Sequence, residues 1–177
     1  EILLREKRID EDRILAVIRG TATNNDGFET SSFTSPSAAS QAELISLTQA
    51  IAGVAPETIN FVELHGTATI VGDPIEASAL HQVFRGVGRR RCAVGSVKSN
   101  VGHLDHAAGL AGLIKTVLAL GHRQIPPSLN FSKANPAIDL ENGPLYVNTE
   151  LMAWIPSEGS PRRAGVRAAR QAVLRLD

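Results

Sequence analysis

The sequence predicts a layered α/β domain on a mostly parallel sheet, and three observations carry that expectation. Apolar, β-branched runs at Ile14 to Ile18, Ile59 to Leu64 and Ala93 to Val97 have the length of buried strands. Each is followed by a segment of helical periodicity. Strand and helix alternate three times, which requires crossover connections and places helices against a parallel sheet.

The first strand ends at Gly20 and runs into a long loop rich in Thr, Ser, Asn and Gly. Ser35-Pro36 reads as an N-cap with proline at the first helical position, and Leu44, Leu47, Thr48 and Ile51 recur at helical spacing. That predicts a helix of about 15 residues ending near Gly53. Pro56 punctuates, and the strand from Ile59 delivers His65 into a loop of glycine and threonine. Asp73-Pro74-Ile75-Glu76 has the form of a helix cap, which explains its two acidic residues without a catalytic role. Ile75, Ala79, Val83 and Phe84 then fall on one helical face.

Arg85 to Arg91 holds four arginines in a glycine-containing loop and reads as a solvated stretch in preference to a docking patch for an acidic protein. After the third strand a glycine-bearing turn carries His103, and Ala107 to Leu120 forms the next helix. Its small residues Ala107, Ala108, Gly109, Ala111 and Gly112 predict close packing. From Ile125 on, Pro126, Pro127, Pro136, Pro144, Pro156 and Pro161 preclude long helices and predict an extended segment with short strands. Ligand sites in such folds lie outside the carboxyl ends of the strands, so the His65 and His103 loops open toward one sheet edge.

At 177 residues with 43% hydrophobic content, the chain can bury one ordinary core. Lysine plus arginine match aspartate plus glutamate at 18 each, so no net field favours nucleic acid or an anionic membrane. The apolar stretch Ala107 to Leu120 is broken by Lys115 and falls short of the roughly 20 residues of a membrane span. Cys92 is the only cysteine and the N-terminus has no signal-peptide pattern, which predicts a reducing, cytoplasmic setting. The chain opens without methionine inside a charged segment, as an excised piece of a longer protein would.

Neutral imidazoles are good hydrogen-bond donors to an oxygen that gains negative charge near neutral pH, so His65 and His103 on neighbouring loops suit carbanion chemistry beside a thioester. Lys98 is placed to fix an imidazole tautomer or to add positive potential. His103 and His106 lie three apart, but no acidic or cysteine cluster completes a metal site. His81 and His122 read as surface residues, and Cys92 as a small core residue.

The segments Glu63-Leu64-His65-Gly66-Thr67-Ala68-Thr69-Ile70-Val71-Gly72-Asp73-Pro74-Ile75-Glu76-Ala77 and Gly95-Ser96-Val97-Lys98-Ser99-Asn100-Val101-Gly102-His103-Leu104 resemble the β-ketoacyl synthase domains of modular polyketide synthases. So does Ala107 to Lys115. Gly20 to Gly27, Ile125 to Phe131, Asn135-Pro136 and Pro161 to Val166 fit the same family in order. The resemblance implies a thiolase-like fold of two related halves, with residues 1–166 forming the second. It implies a decarboxylative Claisen condensation of carrier-bound acyl and malonyl-type thioesters, the chemistry shared with fatty acid biosynthesis. His65 and His103 match the two catalytic histidines, Lys98 the supporting lysine, and Thr67 and Thr69 the contacts to the phosphopantetheine arm. The nucleophile cysteine belongs to the first half. No resident cofactor is implied; the partners are an acyl carrier protein, neighbouring synthase domains and, for a complete domain, a second copy.

Three departures bear on activity. Ala68 stands where the family has glycine. Cys92 sits in no nucleophile-like context and does not replace the missing cysteine; Gly112, where some single-enzyme fatty-acid synthases have glutamate, is no departure and favours the modular type. Residues 167–177 form a divergent tail where the family continues with Ser-Ser-Phe-Gly-Phe-Gly-Gly-Thr-Asn, a loop that supplies an oxyanion-hole amide. The expectation is therefore no condensation by the isolated chain. A non-catalytic fragment or interaction module from a truncated gene is the rival reading; a thiolase fits the histidine spacing less well.

Overall fold

The computed structural model describes residues 2–7, 12–24, 37–86, 91–157, 159–167 and 171–176. Strands β1 (Ile2–Lys7) and β2 (Asp12–Ala22) pair as an antiparallel hairpin. Helix α1 (Ala38–Ala52) starts at Ser37, whose Oγ accepts the Ser40 N–H at 3.2 Å, and ends at Gly53 in the left-handed conformation. Ser35 and Pro36, the sequence-based start, lie outside the described residues; the length and the glycine stop are as expected.

Strand β3 (Phe61–Glu63) is followed by helix α2 (Gly72–Val83) and strand β4 (Cys92–Gly95). A four-residue helix, α3 (Lys98–Val101), precedes helix α4 (Ala108–His122). The proline-rich segment contributes only short strands, β5 (Gln124–Ile125), β6 (Leu145–Val147) and β7 (Met152–Ala153). Strands β8 (Arg162–Arg167) and β9 (Gln171–Leu176) close the chain as an antiparallel hairpin.

The main sheet has the order β1-β2-β9-β8-β3-β4-β6. Its site-bearing part, β8, β3, β4 and β6, is parallel throughout, as the strand and helix alternation requires. Strands β1, β2 and β9 extend it antiparallel, and β5 and β7 form a separate two-stranded sheet.

Period-two alternation in the central strands feeds two cores. Val62, Cys92 and Val94 point into a cluster with Ile45, Leu80, Phe84 and Leu145. Phe61 and Ala93 point the other way, to Leu120, Ile125, Trp154 and Val166. Helices α1 and α2 pack together on one side, and α4 lies against β8, β2 and β3. The Phe61 and Trp154 rings meet edge to face, with centroids 5.7 Å apart. Burying each such side chain is worth about 1.5–3 kcal/mol. The outer face of α4 exposes Leu110, Ile114 and Leu118, an apolar stripe at helical spacing. Among the described residues, no helix is long and apolar enough to cross a membrane.

Candidate active site

Two loops at the carboxyl ends of the parallel strands β3 and β4 build the site. The chain leaves β3 at buried Glu63, and the Leu64 N–H bonds to the Gly95 carbonyl at 2.7 Å, tying this exit to β4. The next two amides donate to one side chain: His65 N–H to Glu76 Oε1 at 2.9 Å and Gly66 N–H to Oε2 at 3.0 Å. Gly66 has φ +47°, and a Cβ there would meet Ser96 Cβ at 2.9 Å, so the turn needs glycine.

This geometry corrects the helix-cap reading of Asp73 and Glu76. Helix α2 begins at Gly72, and no side chain caps it through Val71. Asp73 lies inside the first turn, where burial raises its pKa against the influence of the Ala68 and Thr69 amides. Glu76 reaches back to His65 and Gly66. Glu76 organises the His65 loop, because its turned backbone exposes N–H groups that need partners.

His65 is half-buried, and its Nδ1 is enclosed without a hydrogen-bond partner. Burial first, and then the charge of Lys98, hold its pKa below the ordinary histidine value. The ring is therefore neutral near pH 7 and can donate one hydrogen bond. His103 follows α3 and is exposed; its Nδ1 accepts the Asp105 N–H at 2.9 Å, which leaves the proton of a neutral ring on Nε2. The two imidazoles stand edge to face, centroids 5.6 Å apart and planes at 88°.

Thr67, Lys98 and His103 line one cavity of about 510 Å³, together with Val94, Ser128 and Phe131. Thr69 is placed differently. It is exposed at the loop's turn, and its Oγ accepts the Gly72 N–H at 3.0 Å. The structure thus brings His65, His103, Lys98 and Thr67 together and sets Thr69 beside them.

Sequence reasoning missed a buried ion pair behind the histidines. Glu63 Oε2 lies 2.7 Å from Lys115 Nζ, and Oε1 accepts the Val97 N–H at 2.5 Å. Burial raises the Glu63 pKa against the opposing charge of Lys115. Two signals pointed here: a carboxylate ending a strand-like apolar run, and a lysine interrupting the most apolar helix. A charge in either place requires a partner.

The remaining candidates fall outside the site. Cys92 is buried in the core, and burial pushes its thiol pKa far up, so it stays protonated and inert. His81 is not the surface residue expected. It packs against the loop at Gly143, where a Cβ would come 2.7 Å from its ring, and burial lowers its pKa. His106 is exposed beside Asp105, and His122 is exposed at the end of α4. Arg91 donates to the carbonyls of Leu140 and Leu145 and stacks over Tyr146, so the end of the basic loop is anchored; residues 87–90 lie outside the described residues.

Two juxtaposed histidines thus stand at the carboxyl edge of parallel strands in a layered α/β fold. Residues 15–132 match the family model for the β-ketoacyl synthase C-terminal domain. A phenolphthiocerol/phthiocerol polyketide synthase of Mycobacterium tuberculosis is 48% identical over 160 residues, covering 89% of this chain and 9% of that protein. Polyketide synthase PksL of Bacillus subtilis is 46% identical over 165 residues, covering 92% of the chain and 4% of its own length. Ketosynthase twelve of the bacillaene polyketide synthase of Bacillus amyloliquefaciens superposes with a TM-score of 0.88 at 39% identity, over 95% of this chain and 31% of that one. The ketosynthase from module 6 of the bacillaene synthase of Bacillus subtilis gives 0.87 at 42% identity, over 97% and 33%. The chain belongs to the β-ketoacyl synthase family, as the C-terminal portion of a ketosynthase domain with the thiolase-like fold. It spans about a third of the solved ketosynthases and a tenth or less of these curated relatives.

Proposed function

We propose that this chain supplies the histidine half of a polyketide β-ketoacyl synthase site and does not catalyse condensation alone. The edge-to-face pair of His65 and His103 carries this reading. In the condensation, a malonyl-type thioester loses its carboxylate as carbon dioxide, and the bonding electron pair passes to the α-carbon and the thioester oxygen. The imidazole rings donate hydrogen bonds to that oxygen; one such donor is worth about 2.7–4 kcal/mol. The enolate carbon then attacks the acyl thioester carbonyl, and the nucleophile's thiolate leaves.

Thr67 and Thr69 flank the path of a phosphopantetheine arm, and Lys98 adds to burial in keeping His65 neutral. The partners are an acyl carrier protein and neighbouring synthase domains in the cytoplasm, with a second copy for the complete domain. Residues 1–166 are the ketosynthase portion and 167–177 its divergent tail.

The test is co-expression with an N-terminal ketosynthase portion carrying the nucleophile cysteine. Malonyl- and acyl-loaded carrier proteins are offered and products read by mass spectrometry. The expected result is decarboxylation or β-ketoacyl product only with both portions, lost in H65A and H103A. Product from this chain alone would overturn the predicted inactivity, and unchanged turnover in H65A would overturn the role of the pair.

One observation favours a second reading, a non-catalytic fragment. Arg167 pairs with Gln171, so only three residues join β8 to β9 where the family has its glycine-rich loop. On that reading the combined portions yield nothing, while the intact relative's own two portions do.

A further inference from the structure

We propose that Arg167 is a positioning residue for His65, acting through the carboxylate of Glu76. Arg167 ends β8, one strand from β3, with the preceding Val166 in register with Glu63. Its side chain turns inward between α1 and α2 and is buried. Nη2 donates to Gln41 Oε1 at 2.8 Å, and Nη1 lies 3.4 Å from Glu76 Oε1, an ion-pair contact without hydrogen-bond geometry. Both partners of that pair have side chains only 8% exposed.

Glu76 uses its two oxygens on the His65 and Gly66 amides. A carboxylate this buried is held in place best beside a counter-charge, because an unpaired buried charge is costly. Arg167 supplies that charge. A planar guanidinium meets Glu76 and Gln41 at once, which fixes it against α1 and α2 together and sets the carboxylate under the loop. The consequence is a His65 loop braced from β8, the strand that opens the divergent tail.

The functional meaning rests on the reading of His65 as a hydrogen-bond donor. The test reads loop geometry and not turnover, so the two ideas fail separately. Amide hydrogen exchange is followed by NMR in the chain, R167M and R167K. In R167M, protection of the His65 and Gly66 amides falls by about tenfold or more, while Val62 and Val94 in the sheet change far less. The nuclear Overhauser contact between the His65 and His103 rings weakens in parallel. R167K, which keeps the charge, restores most of both signals. If R167M does not fold, R167Q removes the charge with a smaller change and is read the same way. Unchanged His65 and Gly66 protection in a folded R167M or R167Q overturns the proposal. So does uniform loss across the sheet, or an R167K variant as damaged as R167M.

Discussion

The side chain of Glu63 lies across the bare backbone of Gly112, so closely that a Cβ on residue 112 would stand 3.0 Å from Glu63 Cγ and 3.5 Å from its Oε1. Helix α4 therefore approaches β3 only because residue 112 has no side chain. The carboxylate that fills the space is fixed at both oxygens, by Lys115 and by the Val97 amide, so it cannot yield. The turn into α3, and with it Lys98, hangs from that amide.

Placing alanine at residue 112 sets overpacking of about 1–3 kcal/mol against a helix-propensity gain of about 1 kcal/mol. G112A is expected to lose about 1 kcal/mol net, seen as a thermal midpoint about 2–4 °C lower. In an E63A background the clash disappears, and the same substitution should stabilise. Additive effects in the double variant would show that Glu63 is not what crowds residue 112.

Removing the counter-charge instead leaves Glu63 buried and unpaired. K115M should cost about 3–5 kcal/mol at neutral pH. Burial already holds the Glu63 carboxyl above its ordinary 4.5, and without Lys115 it rises further. A carboxyl raised in the folded state takes its proton there first, so stability increases as pH falls through the folded value toward 4.5. Urea midpoints of K115M should thus approach those of the parent as pH falls toward 4.5. A larger deficit in acid than at neutrality would refute this account.

The fold was legible where periodicity was strong. The runs around Val62 and Val94 gave the central parallel strands, because their alternation feeds two cores, and Gly53 gave the end of α1. Strand β9 was not legible: Gln171 to Leu176 sits in a basic tail whose pairing with β2 and β8 is a long-range property. The histidines were legible as motif residues, but Glu76 was assigned to a helix cap it does not form. Local spacing fits a cap, and only the folded loop shows that its carboxylate has nearer donors at His65 and Gly66. Arg167 went unseen for the same reason, since its partners Gln41 and Glu76 are far away in sequence.

Ala68 occupies the left-handed region at φ +57° within the His65 loop. A side chain there costs about 1–2 kcal/mol, partly offset by the extra unfolded-state entropy of glycine, about 0.4–1 kcal/mol. A68G is expected to stabilise the chain by roughly 0.5–1 kcal/mol, measured by urea denaturation with an unchanged slope. A destabilised A68G would mean that the Ala68 methyl makes contacts worth more than the strain it imposes.

The electrostatics of His65 give the most direct check on the site. Burial and the Lys98 charge both depress its pKa below 6.5, against the opposing charge of Glu76. A histidine depressed in the folded state contributes stability that is fully present above 6.5 and is lost as pH falls through the folded value. Titration of the His65 ring by NMR should therefore give a midpoint below that of an unfolded reference peptide. In K98M the second largest of the depressing causes is gone, and the midpoint should climb toward 6.5. Acid destabilisation through this group should shrink with it. A K98M midpoint that stays put or drops would remove Lys98 from the site's electrostatics and leave burial as the chief cause of a neutral imidazole.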